Sequence, residues 1–348
     1  MLTSIDDIIA VAGAPTVPGL TFRRFRGQSD YPAITAVGNA SRLADGHHWA
    51  FSTEEVAVKF DQPVNSDPAR DVLVAAIDGE MIGFAHGRWS QEMGGDFRYS
   101  LSVELLPEWR GRGIRRTLFH WLEARLRQVA AEHPADAGKA FRANAPETAE
   151  ELTALLLSEG YQPVRVYNTM VCSLEDPLPD FPMPAGLELR PALPEHYRLI
   201  WEASREAFQD HWGSSVASEA AYQAFLADLA TYTPDLWQVA WDSQTNEIAG
   251  QVLTCIIEHE NEAFNRRRGY SETISVRRPY RRRGLARAMI AESLRVLKAQ
   301  GMTESALGVD SENLTGAVRL YEDCGFRTVQ RDVAYRKPLN PSNGEDRP

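Results

Sequence analysis

The chain has 348 residues, 43% hydrophobic and 24% charged, the make-up of a folded protein with room for two cores. A net charge of −11 argues against general attraction to nucleic acid. Cys172, Cys255 and Cys324 lie far apart with no C-x-x-C pair, which argues against a disulfide framework or zinc site and fits a reducing cytoplasm.

In chain order, the opening MLTSIDDIIAVAGAPTVPGL carries Asp6 and Asp7 inside its apolar part and no basic start, so it does not read as a secretory signal. No later run is long enough to cross a bilayer. Next come a strand at LTFRRF (20–25), helices, a strand–turn–strand at VAAIDGEMIGFAHGRW (74–89) and a third long strand. The turn PEWRGRGI (107–114) leads into a helix with Leu118, Trp121, Leu122, Leu126 and Val129 on one face. A strand, a helix ending in LLLSEGY and a closing strand pair follow.

The series then repeats. LELRPA (187–192) echoes LTFRRF, VAWDSQTNEIAGQVLTCI (239–256) echoes the first hairpin, RPYRRRGL (278–285) echoes the turn, and RLYEDCGFRTVQRDVAYRKPL (319–339) echoes 155–174. The offset stays at roughly 165–171 residues, so one fold of about that length occurs twice. Between the copies lies EDPLPDFPMPAG (175–186), whose four prolines read as an extended linker. The expected organisation is an N-terminal domain at 1–175, a linker at 176–186, a C-terminal domain at 187–338 and a frayed tail at 339–348. Strands alternating with helices predict an α/β (α+β) fold, each copy a mixed twisted sheet with helices on both faces. In the second copy ETISV (272–276) reads as a strand, and Met289, Ile290, Ser293, Val296 and Leu297 share a helix face that Gly301 can close. Leu314, Ala317, Val318, Tyr321 and Cys324 form a further stripe, stopped by Gly325.

Charge is unevenly spread. The window 265–287 holds nine arginines and one acid, Glu272, a local excess suited to one small, highly charged anion. A strand ending at Val276, an arginine-rich turn and then Gly284-Leu285-Ala286 at a helix start together form a phosphate-binding device. The first helical turn has free amides and the positive dipole end, and small residues let oxygens approach closely. Neither a Walker loop nor a G-x-G-x-x-G fingerprint is present.

Arg281-x-x-Gly284-x-Ala286 resembles the acetyl-CoA motif [QR]-x-x-G-x-[GA] of the GCN5-related N-acetyltransferase (GNAT) family. ENLTGAVRLYEDCGF (312–326) resembles the family's N-x-x-A-x-x-x-Y-x-x-x-G-F segment. The paired layout is similar to that of mycothiol synthases and other two-domain members. The resemblance implies acetyl-CoA as co-substrate, no metal, and transfer of the acetyl group to a small-molecule amine. It implies that Ile274 and Val276 run beside the pantetheine arm, with the Val276 amide polarising the thioester carbonyl. Arg281, Arg282, Arg283, Gly284, Leu285, Ala286 and Asn313 would hold the coenzyme, and Tyr321 would be the general acid. Glu272, on one face with Ile274 and Val276 by period two, is the candidate base; Glu258, His259 and Glu260, expected to end the preceding strand, are its rivals. Phe208, Asp210, His211 and Trp212 are expected to line the acceptor pocket, with Asp210 attracting a cationic amine.

Other readings stay open. Tyr321 also reads as plain core, Asn313 as a helix N-cap, Glu272 as a solvent-facing strand residue, and Cys324 as a packed small residue. The first copy has Arg110-x-x-Gly113-x-Arg115 and Leu156 in place of Tyr321, so it is expected to be catalytically silent. The competing functions are a non-catalytic acyl-CoA sensor and, less favoured, nucleic-acid binding through 265–287. No membrane partner is expected, and two fused copies are able to imitate a dimer within one chain.

Overall fold

In the computed structural model, which describes residues 8–230, 233–313 and 316–339, the two halves of the sequence build nearly the same series of elements. The first runs β1 (Leu20–Arg24), α1 (Tyr31–Ala44), α2 (Thr53–Asp61), α3 (Pro68–Asp71), β2 (Val72–Ile77), β3 (Glu80–Gln91), β4 (Phe97–Leu105), α4 (Ile114–Ala131), β5 (Lys139–Pro146), α5 (Glu150–Ser158) and β6 (Gln162–Ser173). The second runs β7 (Leu187–Arg190), α6 (Tyr197–Ala207), α7 (Glu219–Ala227), β8 (Gln238–Asp242), β9 (Ile248–Ile256), α8 (Glu258–Ala263), β10 (Arg268–Val276), α9 (Leu285–Ala299), β11 (Glu304–Asp310), α10 (Ala317–Asp323) and β12 (Arg327–Pro338).

The chain packs as two units that do not divide it at one point. One comprises the chain up to Val164 and from Val333 on; the other is Arg165–Asp332. β6, the last strand of the first repeat, pairs with β11 from Tyr167↔Asp310 to Ser173↔Glu304. The end of β12 lies beside β5 in the first unit, where the Leu339 amide donates to the Lys139 carbonyl at 3.0 Å. Relative to the expected domains, most of β6 belongs to the second unit and the end of β12 to the first. Both repeats close with the same kind of strand against the same kind of neighbour, so sequence patterning favours neither pairing.

In the second unit β7, β8, β9 and β10 are antiparallel neighbours, β11 runs parallel to β10, and β6 runs antiparallel to β11. Helices cover both faces. Leu285, Met289, Ile290, Leu294 and Leu297 of α9 are fully buried on one side with Val252, Leu307 and Phe326, each contributing roughly 1.5–3 kcal/mol before entropy is charged. Ile200 and Ala203 of α6 pack on the other side with Val239, Trp241, Ile248 and Leu253. Covered on both faces, β9 is buried along all but its last residue. α9 closes as expected around Gly301 at φ 81°, with the Met302 amide donating to Leu297 and the Gly301 amide to Lys298. Leu314 of the anticipated α10 stripe lies outside the described residues.

In the first unit β1 to β4 are antiparallel and β5 runs parallel to β4. α1 and α2 cover one face through Tyr31, Ile34, Val37, Val56 and Phe60. α4 covers the other with Leu118, Leu122, Leu126 and Val129, as the stripe predicts. Among the described residues no helix is long and apolar enough to cross a membrane.

Candidate active site

The site begins with a break in register. On β10, Glu272 faces Leu253 while Ser275 faces Gln251, so β10 carries one residue more than β9 over that step. The bulge puts Thr273 at φ 48°, a left-handed conformation costly for a β-branched residue, roughly 1–3 kcal/mol. Gly250 lets β9 close up behind it: a Cβ there would stand 2.7 Å from the Ser275 carbonyl oxygen. Period-two alternation therefore fails between Glu272 and Ser275, and the expectation that Glu272 and Ile274 share a face by simple alternation is corrected. β10 leaves its parallel neighbour just before the bulge; pairing to β11 covers only Arg268 to Tyr270.

The gap between the parting strands is a cleft of about 970 Å³ lined by β10 from Ser271 to Val276, by Gly308 to Asp310, and by Tyr321. The Arg277 amide donates to the Ala249 carbonyl at 3.0 Å on the β9 side, so alternation turns the Val276 peptide groups toward the gap. The Val276 carbonyl is capped there by Arg281 Nε at 3.0 Å.

The arginine-rich turn closes one end of the cleft. Gly284, the N-cap of α9, sits at φ 88° with no side-chain cap, and Arg282 at φ 62° precedes it. The amides from Arg282 to Arg287 find no acceptor among the described residues; the first helical bond is from Ala288 to Gly284 at 3.2 Å. Here lie the open donors expected of a phosphate site. The guanidinium groups are another matter. Arg281, expected to reach for phosphate, donates to the Val276 carbonyl and through Nη2 to the Ala207 carbonyl at 3.0 Å, holding the end of α6 against the turn. Arg283 donates to Ala185, and Arg277 and Arg278 pair with Glu206 and Asp210.

Glu272 and Tyr321 both line the cleft, together with Ile274, Leu285, Ala286 and Asn313. Glu272 is half-buried at its wall; burial, aided by the charge of Glu260, raises its carboxyl from 4.5 to about 7. Tyr321 is buried, and its phenol is raised by burial first and then by Glu272 and Cys324, so it keeps its proton well beyond neutrality. Glu258, His259 and Glu260 do not end a strand; they open α8. Glu260 is buried against Arg266 at 3.1 Å and the Tyr270 hydroxyl and does not line the cleft, though its charge reaches Glu272. Asn313 is not the N-cap of α10, which is Gly316. Cys324 is buried at the end of α10 with its thiol pushed up to about 12, a packed residue.

Phe208, His211 and Trp212 also line the cleft, beside the arginine-rich turn, where acceptor-pocket residues were expected. Phe208 and His211 meet edge to face at 4.5 Å, and burial followed by Arg281 lowers the His211 pKa, favouring the neutral ring. Asp210 departs from expectation: it is outside the cleft wall, exposed and paired with Arg278 and Arg281, so its carboxylate is committed. Two features escaped sequence reasoning. Tyr167, Asn168 and Thr169 of β6 line the cleft, which requires the β6–β11 pairing. Thr254, Ser271, Ser293 and Ser305 form a buried hydroxyl chain with contacts of 2.8, 2.8 and 3.1 Å where β10 and β11 begin to part. Scattered serines carry no sequence signal for such a chain.

The matching turn of the first repeat is filled from within. Arg110 and Arg115 bind Asp45 at 2.9 and 3.1 Å, and Glu151 approaches both while accepting from the Gly111 amide at 3.4 Å. β4 and β3 stay in register throughout, so no bulge opens that strand.

A model of the acetyltransferase (GNAT) family matches residues 39–140 and 194–326, together well over half of the chain. A mycothiol acetyltransferase of Geodermatophilus obscurus is 27% identical over 311 residues, 88% of this chain and 93% of that one. Another, from Thermobispora bispora, is 27% identical over 315 residues, 88% and 96%. The solved GCN5-related N-acetyltransferase of Sphaerobacter thermophilus superposes with a TM-score of 0.70 at 27% identity, covering 94% of this chain and 98% of that one. A tandem GNAT protein from the clavulanic acid biosynthesis pathway superposes at 0.65 with 16% identity over 93% and 100%, a likeness of fold. With one family match on each repeat, the chain belongs to the acetyltransferase (GNAT) family and is an acyltransferase.

Proposed function

We propose that the chain transfers an acetyl group from acetyl-CoA to the primary amine of a small molecule, in the cleft of the second unit. The observation that carries the reading is the convergence of three things on one cleft: amides from Arg282 to Arg287 without an acceptor among the described residues, a bulged strand parted from its parallel neighbour, and the pair Glu272 and Tyr321. Bound there, acetyl-CoA supplies the thioester whose acetyl group moves. The amides hold its diphosphate, and the Val276 amide faces the thioester carbonyl, where it stabilises negative charge as the carbonyl is attacked. Glu272, with its pKa near 7, takes the proton of the attacking amine, and Tyr321, protonated at that pH, gives one to the leaving thiolate. The amine enters between Phe208, His211 and Trp212 on one side and β6 on the other. Relatives named mycothiol acetyltransferases support a small-molecule acceptor over a protein one. A sensor would need the amide turn but no Glu272–Tyr321 pair.

The test replaces Tyr321 by Phe and assays thiol release from acetyl-CoA over a panel of small primary amines. The variant keeps its affinity for acetyl-CoA and loses about 10²–10⁴ in turnover. Undiminished turnover removes the role of Tyr321, and inactivity of the unmodified chain on every amine favours the sensor.

A further inference from the structure

The first unit carries a second concentration of charge that the proposed transferase does not use. β3, β4 and β5 place Arg88, Ser100 and Arg142 in one row across the sheet, Arg88 facing Ser100 and Ser100 facing Arg142. The row is on the face opposite α4, because the preceding Gly87 packs on Leu122 and Leu126 of that helix. α2 lies over this other face. Its start is fixed by a reciprocal cap between Ser52 and Glu55. Phe60 meets His86, two residues before Arg88, with tilted rings at 5.1 Å, and the Lys59 ammonium stands 5.9 Å from the Phe60 ring.

Lys59, Arg88 and Arg142 make no ion pair and no hydrogen bond among the described residues. The neighbouring carboxylates are committed elsewhere. Glu104 binds Arg42 at 2.7 Å, Glu92 binds Arg98 at 2.8 Å and Arg336, and Asp96 binds Arg98 at 2.9 Å. Lys59 and Arg88 are exposed residues, yet protein surrounds them closely enough to disfavour their charge. Burial, then Arg42 and Arg88, lower Lys59 to about 8, and burial followed by Arg142 lowers Arg88. Exposed and still poorly solvated, Lys59 and Arg88 crowd one another's charge. Unconstrained cations would rotate apart into water; these are held together by a sheet row and a capped helix.

We propose that the β3–β5 face beside α2 in the first unit binds a small organic anion carrying two or more carboxylate or phosphate groups. Arg88 and Arg142 present flat forks at the two ends of one strand row, suited to two anionic groups on one molecule, and Lys59 closes over them from α2. Phe51 and Phe60 flank the ammonium with apolar surface for the body of the ligand. This site is separate from the amide turn of α9, and its occupant is distinct from the acyl donor.

Isothermal titration of the intact chain at fixed ionic strength tests this, with acetyl-CoA in excess to close the α9 turn to phosphates. The probes are citrate, inorganic pyrophosphate and, as monovalent control, acetate. Citrate or pyrophosphate binds at one site per chain, at least tenfold tighter than acetate, and the tighter of the two names the anionic group. Arg88→Gln with Arg142→Gln weakens that binding at least tenfold and leaves acetyl-CoA affinity unchanged. Lys59→Met, a single change at an exposed position of α2, reads the same loss should the double variant fold poorly. Absence of binding by both polyanions, acetate binding as tightly as either, or folded variants that bind like the unmodified chain would overturn the proposal.

Discussion

Replacing Glu272 by Gln removes the proposed base, one of the two ionisable groups that would separate an amine-activating cleft from a merely coenzyme-binding one. In the folded chain its carboxyl titrates near 7 instead of 4.5, first because protein has displaced its water and second because Glu260 lies close by. About half of the molecules then hold a carboxylate at pH 7 and about a tenth at pH 6, so turnover at saturating substrates falls tenfold per pH unit below the midpoint. Glu272→Gln lowers kcat by about 10²–10⁴ and abolishes this acid limb. Glu260→Gln keeps activity but moves the limb to lower pH, whereas titration of the amine itself stays put. Stability supplies an independent readout with a definite sign. Since the folded pKa lies above the unfolded one, protonated Glu272 contributes fully below pH 4.5, and the contribution is lost as pH rises through about 7. Above pH 7 the Gln variant is therefore more stable than the unmodified chain, on the order of 1–3 kcal/mol after discounting for the half-exposed side chain. A limb centred near 4.5, or undiminished kcat in the variant, refutes the assignment of Glu272 as base.

Three further outcomes follow from the same geometry. Gly284→Ala meets no neighbour in space but must hold φ 88°, a strain of roughly 1–2 kcal/mol, so acetyl-CoA affinity measured by titration falls about tenfold. Acetyl-CoA binds with a stoichiometry of one per chain by native mass spectrometry, because Asp45 and Glu151 already occupy the first unit's turn; two per chain would contradict this. Ser293→Val leaves the Thr254 and Ser271 hydroxyls buried without their shared partner, lowering stability by about 1–3 kcal/mol per group in chemical denaturation.

The legible part of this molecule is the part where backbone geometry dictates residue type. A helix that must begin from a left-handed residue with bare amides demands glycine, and Gly284 and Gly113 announced both turns. Tyr321 was legible from its spacing to Gly325, and the stripes of α4 and α9 from their period. What stayed hidden depends on contacts distant in sequence. Thr273 gives no sign of the bulge, because a β-branched residue is a poor choice for a left-handed position and only the surrounding sheet holds it there. Arginines are alike on paper whether they face phosphate or, like Arg281, cap a helix end. Asp210 looked free to draw in an amine until its two arginine partners came into view. Glu151 is an ordinary helix-start acid until α5 brings it to Gly111. The pairing of β6 with β11 was invisible, since repeated strands fit either neighbour.

A crystal structure of the chain with acetyl-CoA bears most directly on the central claim. The diphosphate oxygens should lie within hydrogen-bond reach of the amides between Arg282 and Arg287, with the thioester carbonyl at the Val276 amide between the parted β10 and β11. A coenzyme found with its diphosphate on the first unit's turn, or held by arginine side chains away from those amides, would contradict it.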